Sequence, residues 1–236
     1  LADFRSRYPA HELSADIGLL LIENFEAAQQ WQMAAVELES LLAVEAEPVR
    51  QQELLYLAAS YYDRAGEVDL AIKRYRDYAH RWQRPVATRM EAMRRLAELY
   101  QADNENDKRN YWLRKLIAAH GDAASEQSER SLYLAAYAAS ELAQQATLAF
   151  QAIELQLPLQ KSLQRKNKAL KQALQDWQQV NAYAIARFAS LASYRMAEIY
   201  RELAQALLES ERPAQLDALA LEQYGFLLEE QAFPFE

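Results

Sequence analysis

Small and aromatic residues recur along this chain with helical spacing. In "AASYYDRAGEVDLAIKRYRDYAHRWQRP", residues 58–85, Ala58, Ala59 and Tyr62 share one helical face at i, i+1 and i+4. Gly66 interrupts the pattern, and a second face carries Ala71, Ile72, Tyr75 and Tyr78 before Pro85 ends it. Proline cannot extend a helix without losing a hydrogen bond. The stretch predicts two helices packed as a hairpin, with small residues letting the backbones approach and rings filling the space beside them.

The same order of residue types occurs on either side. Leu21, Ile22 and Phe25 precede Trp31, Ala34, Ala35, Leu38, Leu41 and Pro48, and Ala34, Leu38 and Pro48 sit 37 positions before Ala71, Tyr75 and Pro85. Downstream, Leu96, Ala97 and Tyr100 repeat the first-helix face. A polar turn, "QADNENDKRN", longer than its counterpart, then leads to Trp112, Leu116 and Ala119. A fourth unit is expected from Tyr133 and Tyr137 followed by Ala146, Phe150, Ile153 and Pro158. Its turn "ELAQQ" holds no breaker, so one long helix is the alternative. Self-similarity at a fixed period is the mark of a helical array; the competing reading is a non-repetitive bundle.

From Leu159 to Arg212 there is neither Gly nor Pro, enough for a helix of roughly 80 Å if unbroken. Leu163, Leu170, Leu174, Trp177, Ala184, Phe188 and Leu191 follow a 3–4 spacing interrupted by Asn167 and Asn181. That run is too short for a free coiled coil, so an extended helical hairpin packed on the repeats is expected. Pro158 opens a new helix in this reading, the alternative being a kink. Ala197 and Tyr200 stand in the same relation as Ala97 and Tyr100 and predict another first-helix face, ended by Pro213. Phe233 and Phe235 are read as packing residues. The predicted fold is thus all-α: helical hairpins over residues 1–158, in about four pairs, then long antiparallel helices and a terminal helix over 159–236.

Composition supports this and narrows the chemistry. The chain has 236 residues, only four Gly and six Pro, and is 51% apolar, with abundant helix-forming Ala, Leu, Glu and Gln. No apolar run reaches the roughly 18 residues needed to cross a bilayer. The chain starts at Leu1 and ends "EEQAFPFE", which reads as a processed protein or an excised piece with any targeting segment out of view. Zero cysteines exclude disulfides and thiolate chemistry. A net charge of -8 argues against nucleic acid as a general partner.

His11, His80 and His120 each fall near a predicted turn between units, outside any E-x-x-H or H-E-x-x-H arrangement. They are read as solvated rather than as ligands. There is no Gly-rich phosphate loop and no G-x-S-x-G elbow. No catalytic residue, metal site or cofactor is therefore expected. The one charge run, "KSLQRKNKALK", carries Lys161, Arg165, Lys166, Lys168 and Lys171 with no acid between Glu154 and Asp176. It predicts a solvated helix face; the functional alternative is a patch for an acidic partner, anionic lipid or the chain's own acidic C-terminal part.

On Ala59, Tyr62, Gly66, Ala71, Tyr75 and Pro85 the chain resembles the tetratricopeptide repeat family. The resemblance spans residues 1–158, more loosely outside 58–85, and the observed period exceeds the family's usual spacing of about 34 residues. It implies stacked hairpins, a solenoid whose concave surface is lined by the first helices and grips a peptide or partner helix. The groove-facing positions it implies are Glu23 and Glu26, then Tyr56, Ser60, Asp63 and Arg64, then Arg94, Glu98 and Gln101. Tyr56 would be an aromatic anchor, and Arg64 and Arg94 would hold a carboxylate or carbonyl. The family's carboxylate clamp uses Lys and Asn in the first repeat; Leu19 and Glu23 stand in comparable places here, which disfavours that role.

Two functions are weighed. The first is a non-catalytic scaffold that binds a protein partner in the groove. The hairpin boundaries are similar to those of bacterial envelope repeat proteins of the Tol–Pal, outer-membrane assembly and TonB- or gliding-associated kinds. That likeness implies a periplasmic location, with a cytoplasmic adaptor as the alternative. The second is a structural element whose long hairpin drives homo-oligomerisation.

Overall fold

A computed structural model describes Arg7 and residues 14–233; His11 and Phe235 lie outside the described residues. The fold is all-α, with ten α-helices and no strand among the described residues. Contacts divide the chain into two compact units, Leu1–Ser131 and Leu132–Glu236, rather than at residue 158.

The first unit holds α1 (Ser14–Ala27), α2 (Trp31–Leu42), α3 (Pro48–Ala65), α4 (Val68–Arg81), α5 (Val86–Ala102) and α6 (Asn106–Gly121), followed by a single 3-10 turn, Ala124–Glu126. Each α-helix packs on the one before and after it. Pro48 occupies the first turn of α3, where its missing N–H costs nothing. The residues that carried the repeat pattern are the core: Ala34, Ala35, Leu38, Ala58, Ala59, Tyr62, Ala71, Tyr75, Tyr78, Leu96, Ala97 and Tyr100 are all buried.

The turn inside each hairpin has one geometry, used three times. At the end of α3, Gly66 adopts φ 78° and Glu67 N–H donates to the Tyr62 carbonyl at 2.9 Å. At the end of α5, Asn104 (φ 58°) precedes Glu105, whose N–H donates to Tyr100 at 2.9 Å. At the end of α1, Gln29 (φ 56°) precedes Gln30, whose N–H donates to Phe25 at 2.8 Å. Each is a Schellman-type stop with a left-handed residue after the helix. The left-handed residues are 37 and 38 positions apart.

This register corrects the third unit. Its turn is no longer than the others, because α6 already begins at Asn106. The positions following Gln30, Glu67 and Glu105 put Arg109, not Trp112, in the place of Ala34 and Ala71. Arg109 is nonetheless buried, and Trp112, Leu116 and Ala119 form the core one turn further on.

In the second unit, α7 (Glu129–Gln151) is a single helix, so the expected fourth hairpin does not form. Ser128 caps it: Ser131 N–H donates to Ser128 Oγ at 3.1 Å and Ser128 N–H to Ser131 Oγ at 2.9 Å. Helix α8 (Leu159–Ala182) starts just after Pro158, α9 (Ala186–Leu208) returns against it, and α10 (Ala218–Ala232) packs on α9. The long hairpin is as expected, but its turn falls at Tyr183–Ile185, where Ala184 takes φ 54°. Ala184 is thus an exposed turn residue rather than part of the apolar stripe. The stripe of α8 is Leu170, Ala173, Trp177 and Val180. Trp177 Nε1 donates to Thr147 Oγ1 of α7 at 2.8 Å, both buried. On α9 the buried face is Phe188, Ala192, Ile199, Leu203, Ala204 and Leu207, whereas Ala197 and Tyr200 are exposed. Phe233, expected to pack, is 76% exposed.

Candidate functional site

Side chains about one repeat apart join the helices of the first unit. On the first helices, Tyr61 Oη of α3 donates to Glu26 of α1, 35 residues back. Arg95 of α5 reaches Asp63 of α3, 32 residues back, in a two-pronged contact whose Nη2–Oδ1 arm is 2.8 Å. Arg130, in the first turn of α7 and still within the first unit, donates to Glu91 of α5 at 2.6 Å, across 39 residues. On the second helices, Arg74 of α4 donates to Glu39 of α2, 35 residues back.

Seven of the nine expected groove residues fall into two groups on this framework. Asp63, Arg94 and Glu98 belong to one charged network: Arg94 pairs with Glu91 at 3.0 Å and with Glu98, and Glu98 also takes Arg95 Nη1 at 2.8 Å. Tyr56 lies beside it. Burial pushes its hydroxyl pKa up, the Glu91 charge adds to this and Arg94 opposes it. Its half-buried ring packs edge-on against Tyr75 at 5.8 Å and Tyr78 at 5.3 Å. Ser60, half-buried, faces the Tyr75 hydroxyl, whose pKa is raised by burial first and by Asp63 and Tyr56 next, with Ser60 acting the other way.

The second group is Glu26 and Arg64. The Arg64 guanidinium sits over the Trp31 ring at 4.9 Å and the Tyr61 ring at 5.7 Å. It helps line an open cavity of about 450 Å³ with Gln30, Trp31 and Met33. Burial, the bond to Glu26 and the Glu26 charge together lift Tyr61 to about 12, against Arg64. Glu23 and Gln101 are exposed and join neither group.

Sequence reasoning missed Arg95 and Glu91, which hold the network together. Arg95 is kept protonated far above its ordinary range by its bonds to Asp63, with burial opposing and Glu98 assisting. Glu91 is desolvated, which alone would raise its pKa, yet the bonds and charges of Arg130 and Arg94 outweigh that and hold it low. The signal available was the run "EAMRRLAEL", in which Glu91, Arg94, Arg95 and Glu98 stand at i, i+3, i+4 and i+7 on one helical face.

His80 and His120 lie in the last turns of helices rather than in open turns. The His80 ring is 5.4 Å from that of Trp112, and His120 Nδ1 is 3.0 Å from Ser131 Oγ. No group of three or more His, Asp or Glu side chains is placed to hold a metal among the described residues. Nor is any described helix long and apolar enough to cross a membrane.

The basic run divides. Lys161, Arg165, Lys168 and Lys171 are exposed as expected, but Lys166 is buried. Its Nζ donates to the carbonyls of Phe150 at 3.2 Å and Ile153 at 2.8 Å, closing the end of α7, and lies 4.3 Å from the Phe150 ring centroid. A cation at a helix C-terminus satisfies its last carbonyls and its dipole.

Compared with protein-family models, with curated proteins and with solved structures, the chain shows no significant match to any.

Proposed function

We propose that the first unit is a non-catalytic scaffold of tetratricopeptide type that receives a peptide or helix of another protein along the flank formed by α1, α3 and α5. The observation that carries this reading is the series of cross-helix contacts between first helices, Glu26 with Tyr61, Asp63 with Arg95 and Glu91 with Arg130, at separations of 35, 32 and 39 residues. They set α1, α3, α5 and the start of α7 side by side, as stacking of hairpins requires. The thrice-used turn supports the same stacking. On this flank the partner meets Tyr56, Ser60 and Arg94 near its middle, with the exposed Glu23 and Gln101 outside the ion network.

Photo-crosslinking in native cells tests it. A photoreactive residue at Glu23, Ser60 or Gln101 is expected to give one adduct of common mass, and the same residue at Asp69 on α4 or Lys115 on α6 none. Equal adducts from both sets, or adducts from Asp69 and Lys115 alone, would remove the flank as the docking surface. The further placement in a bacterial envelope assembly or energy-transducing complex rests on the sequence resemblance. Fractionation of the native cells, with the partner identified by mass, separates it from a cytoplasmic adaptor.

A further inference from the structure

The second unit carries two exposed surfaces of opposite character. Helix α10 turns Leu228 and Ala232 inward, onto the side that meets α9. Helical geometry puts Leu219, Phe226 and Phe233, spaced by seven, along the opposite side. They are 66%, 62% and 76% exposed, and Leu227 beside them 57%. Glu222 and Glu229 border this stripe on one edge and Glu230 on the other, all exposed, and residues 213–236 contain no Lys, Arg or His.

Helix α8 presents the complement. Lys161, Arg165 and Lys168 lie in a line at i, i+4 and i+7, with Lys171 one turn further, opposite the buried Leu170 and Trp177. Among the described residues no ion pair engages these four, and none engages Glu222, Glu229 or Glu230. Both helices pack on α9. The acids at 222 and 229 and the bases at 161 and 168 share a seven-residue spacing, about 10.5 Å along a helix.

We infer that the outer face of α10 docks on the basic face of α8 of a second copy of this chain. Pairing α10 with α10 would set acid against acid, which an interface selects against. Pairing α10 with α8 neutralises both, and the long stems of Lys161, Arg165 and Lys168 cover the rings of Phe226 and Phe233 while their charged ends reach the flanking carboxylates. Each copy offers both halves, so the contact either closes reciprocally in a two-fold pair or extends into a ring or chain of copies. It uses none of the residues of the flank proposed for partner binding, and either proposal can fail without the other.

Sedimentation equilibrium of the 236-residue chain tests the contact. Mass is expected to rise with protein concentration at low salt and to fall back toward monomer at about 0.5 M salt, where charges are screened within a few ångströms. Reversing the acids (Glu222→Lys, Glu229→Lys, Glu230→Lys) or the bases (Lys161→Glu, Arg165→Glu, Lys168→Glu) should each weaken association about tenfold or more. An equimolar mixture of the two variants should recover it. Phe226→Gln should weaken it with all charges intact. Circular dichroism checks that each variant folds. A chain that is monomeric at every concentration and salt, association indifferent to either reversal, or a mixture that fails to recover, overturns the inference.

Discussion

Glu39 on α2 and Arg74 on α4 are 35 residues apart in sequence and share an ion pair that joins one hairpin to the next. Tyr62 of α3 lies beside the same carboxylate: burial raises its hydroxyl pKa first, and Glu39 adds to the rise. The bond to Glu39 is the main reason Arg74 is held above its ordinary pKa, with burial opposing it. Three-quarters of each side chain is shielded from solvent, so the pair should exceed an exposed one. A double-mutant cycle of Glu39→Gln and Arg74→Met is expected to return a coupling of about 1 kcal/mol. A coupling of zero in urea melts would show that this ion pair adds nothing to what the apolar faces and the Tyr61–Glu26 bond already supply.

The recurring turn makes a sharper prediction. Gly66, Asn104 and Gln29 occupy the same left-handed position, at φ 78°, 58° and 56°, and an L side chain there costs about 1–2 kcal/mol unless it bonds locally. A Cβ on Gly66 meets nothing within 4 Å, so Gly66→Ala should lose about 1 kcal/mol through backbone conformation alone. Gln29→Gly should gain a comparable amount, and Asn104→Gly less, since asparagine tolerates this region. Thermal melts rank the three. Destabilisation by Gln29→Gly would contradict the shared geometry.

These turns also show what could be read from the sequence. Gly66 and Pro48 announce themselves because their backbones have unusual freedom or restriction, and the small and aromatic faces around Ala58, Ala71 and Tyr75 are core as expected. Gln29 and Ala184 adopt positive φ without any residue-type signal, because packing of the flanking helices imposes the turn. Arg109 hides the third repeat by placing a long cationic side chain where the other units have alanine. The cores of Leu134, Ala143 and Phe150 tell nothing in sequence of whether α7 is one helix or two. At the candidate site, Asp63, Arg94 and Glu98 are singled out in the sequence as groove positions, and the structure places them in one ion network. Arg95 is not singled out, because its value lies in a contact 32 residues away.

Acid should loosen the first unit through Glu91. Its folded-state pKa is depressed because the bonds and charges of Arg130 and Arg94 outweigh desolvation. A depressed carboxylate contributes stability that is present above its unfolded pKa, about 4.3, and is lost as pH falls through that value toward the lower folded one. Urea midpoints measured from about pH 6 to about pH 3 should fall more steeply for the native chain than for Glu91→Gln. Parallel curves would mean that the Arg94 and Arg130 contacts do not distinguish the ionised from the neutral carboxyl.

Lys166 should behave as a structural cation with an unfavourable charge. Its ammonium donates to the Phe150 carbonyl, which also accepts from Ile153 N–H at 3.2 Å, and to the Ile153 carbonyl just past the end of α7. Lys166→Met keeps most of the apolar volume but removes the donor, and is expected to destabilise the second unit by about 1–3 kcal/mol. Lys171→Met, at an exposed position of the same helix, should change stability by less than about 0.5 kcal/mol. Burial lowers the Lys166 pKa, partly opposed by Glu202, so the folded chain sheds this proton before the unfolded chain does. The desolvation cost is therefore present below the folded pKa and is relieved as pH rises from there toward the ordinary lysine value. Across that alkaline window the native chain should gain stability relative to Lys166→Met. If the gap narrows instead, the ammonium is being held by attraction to Glu202 more strongly than it is penalised by burial.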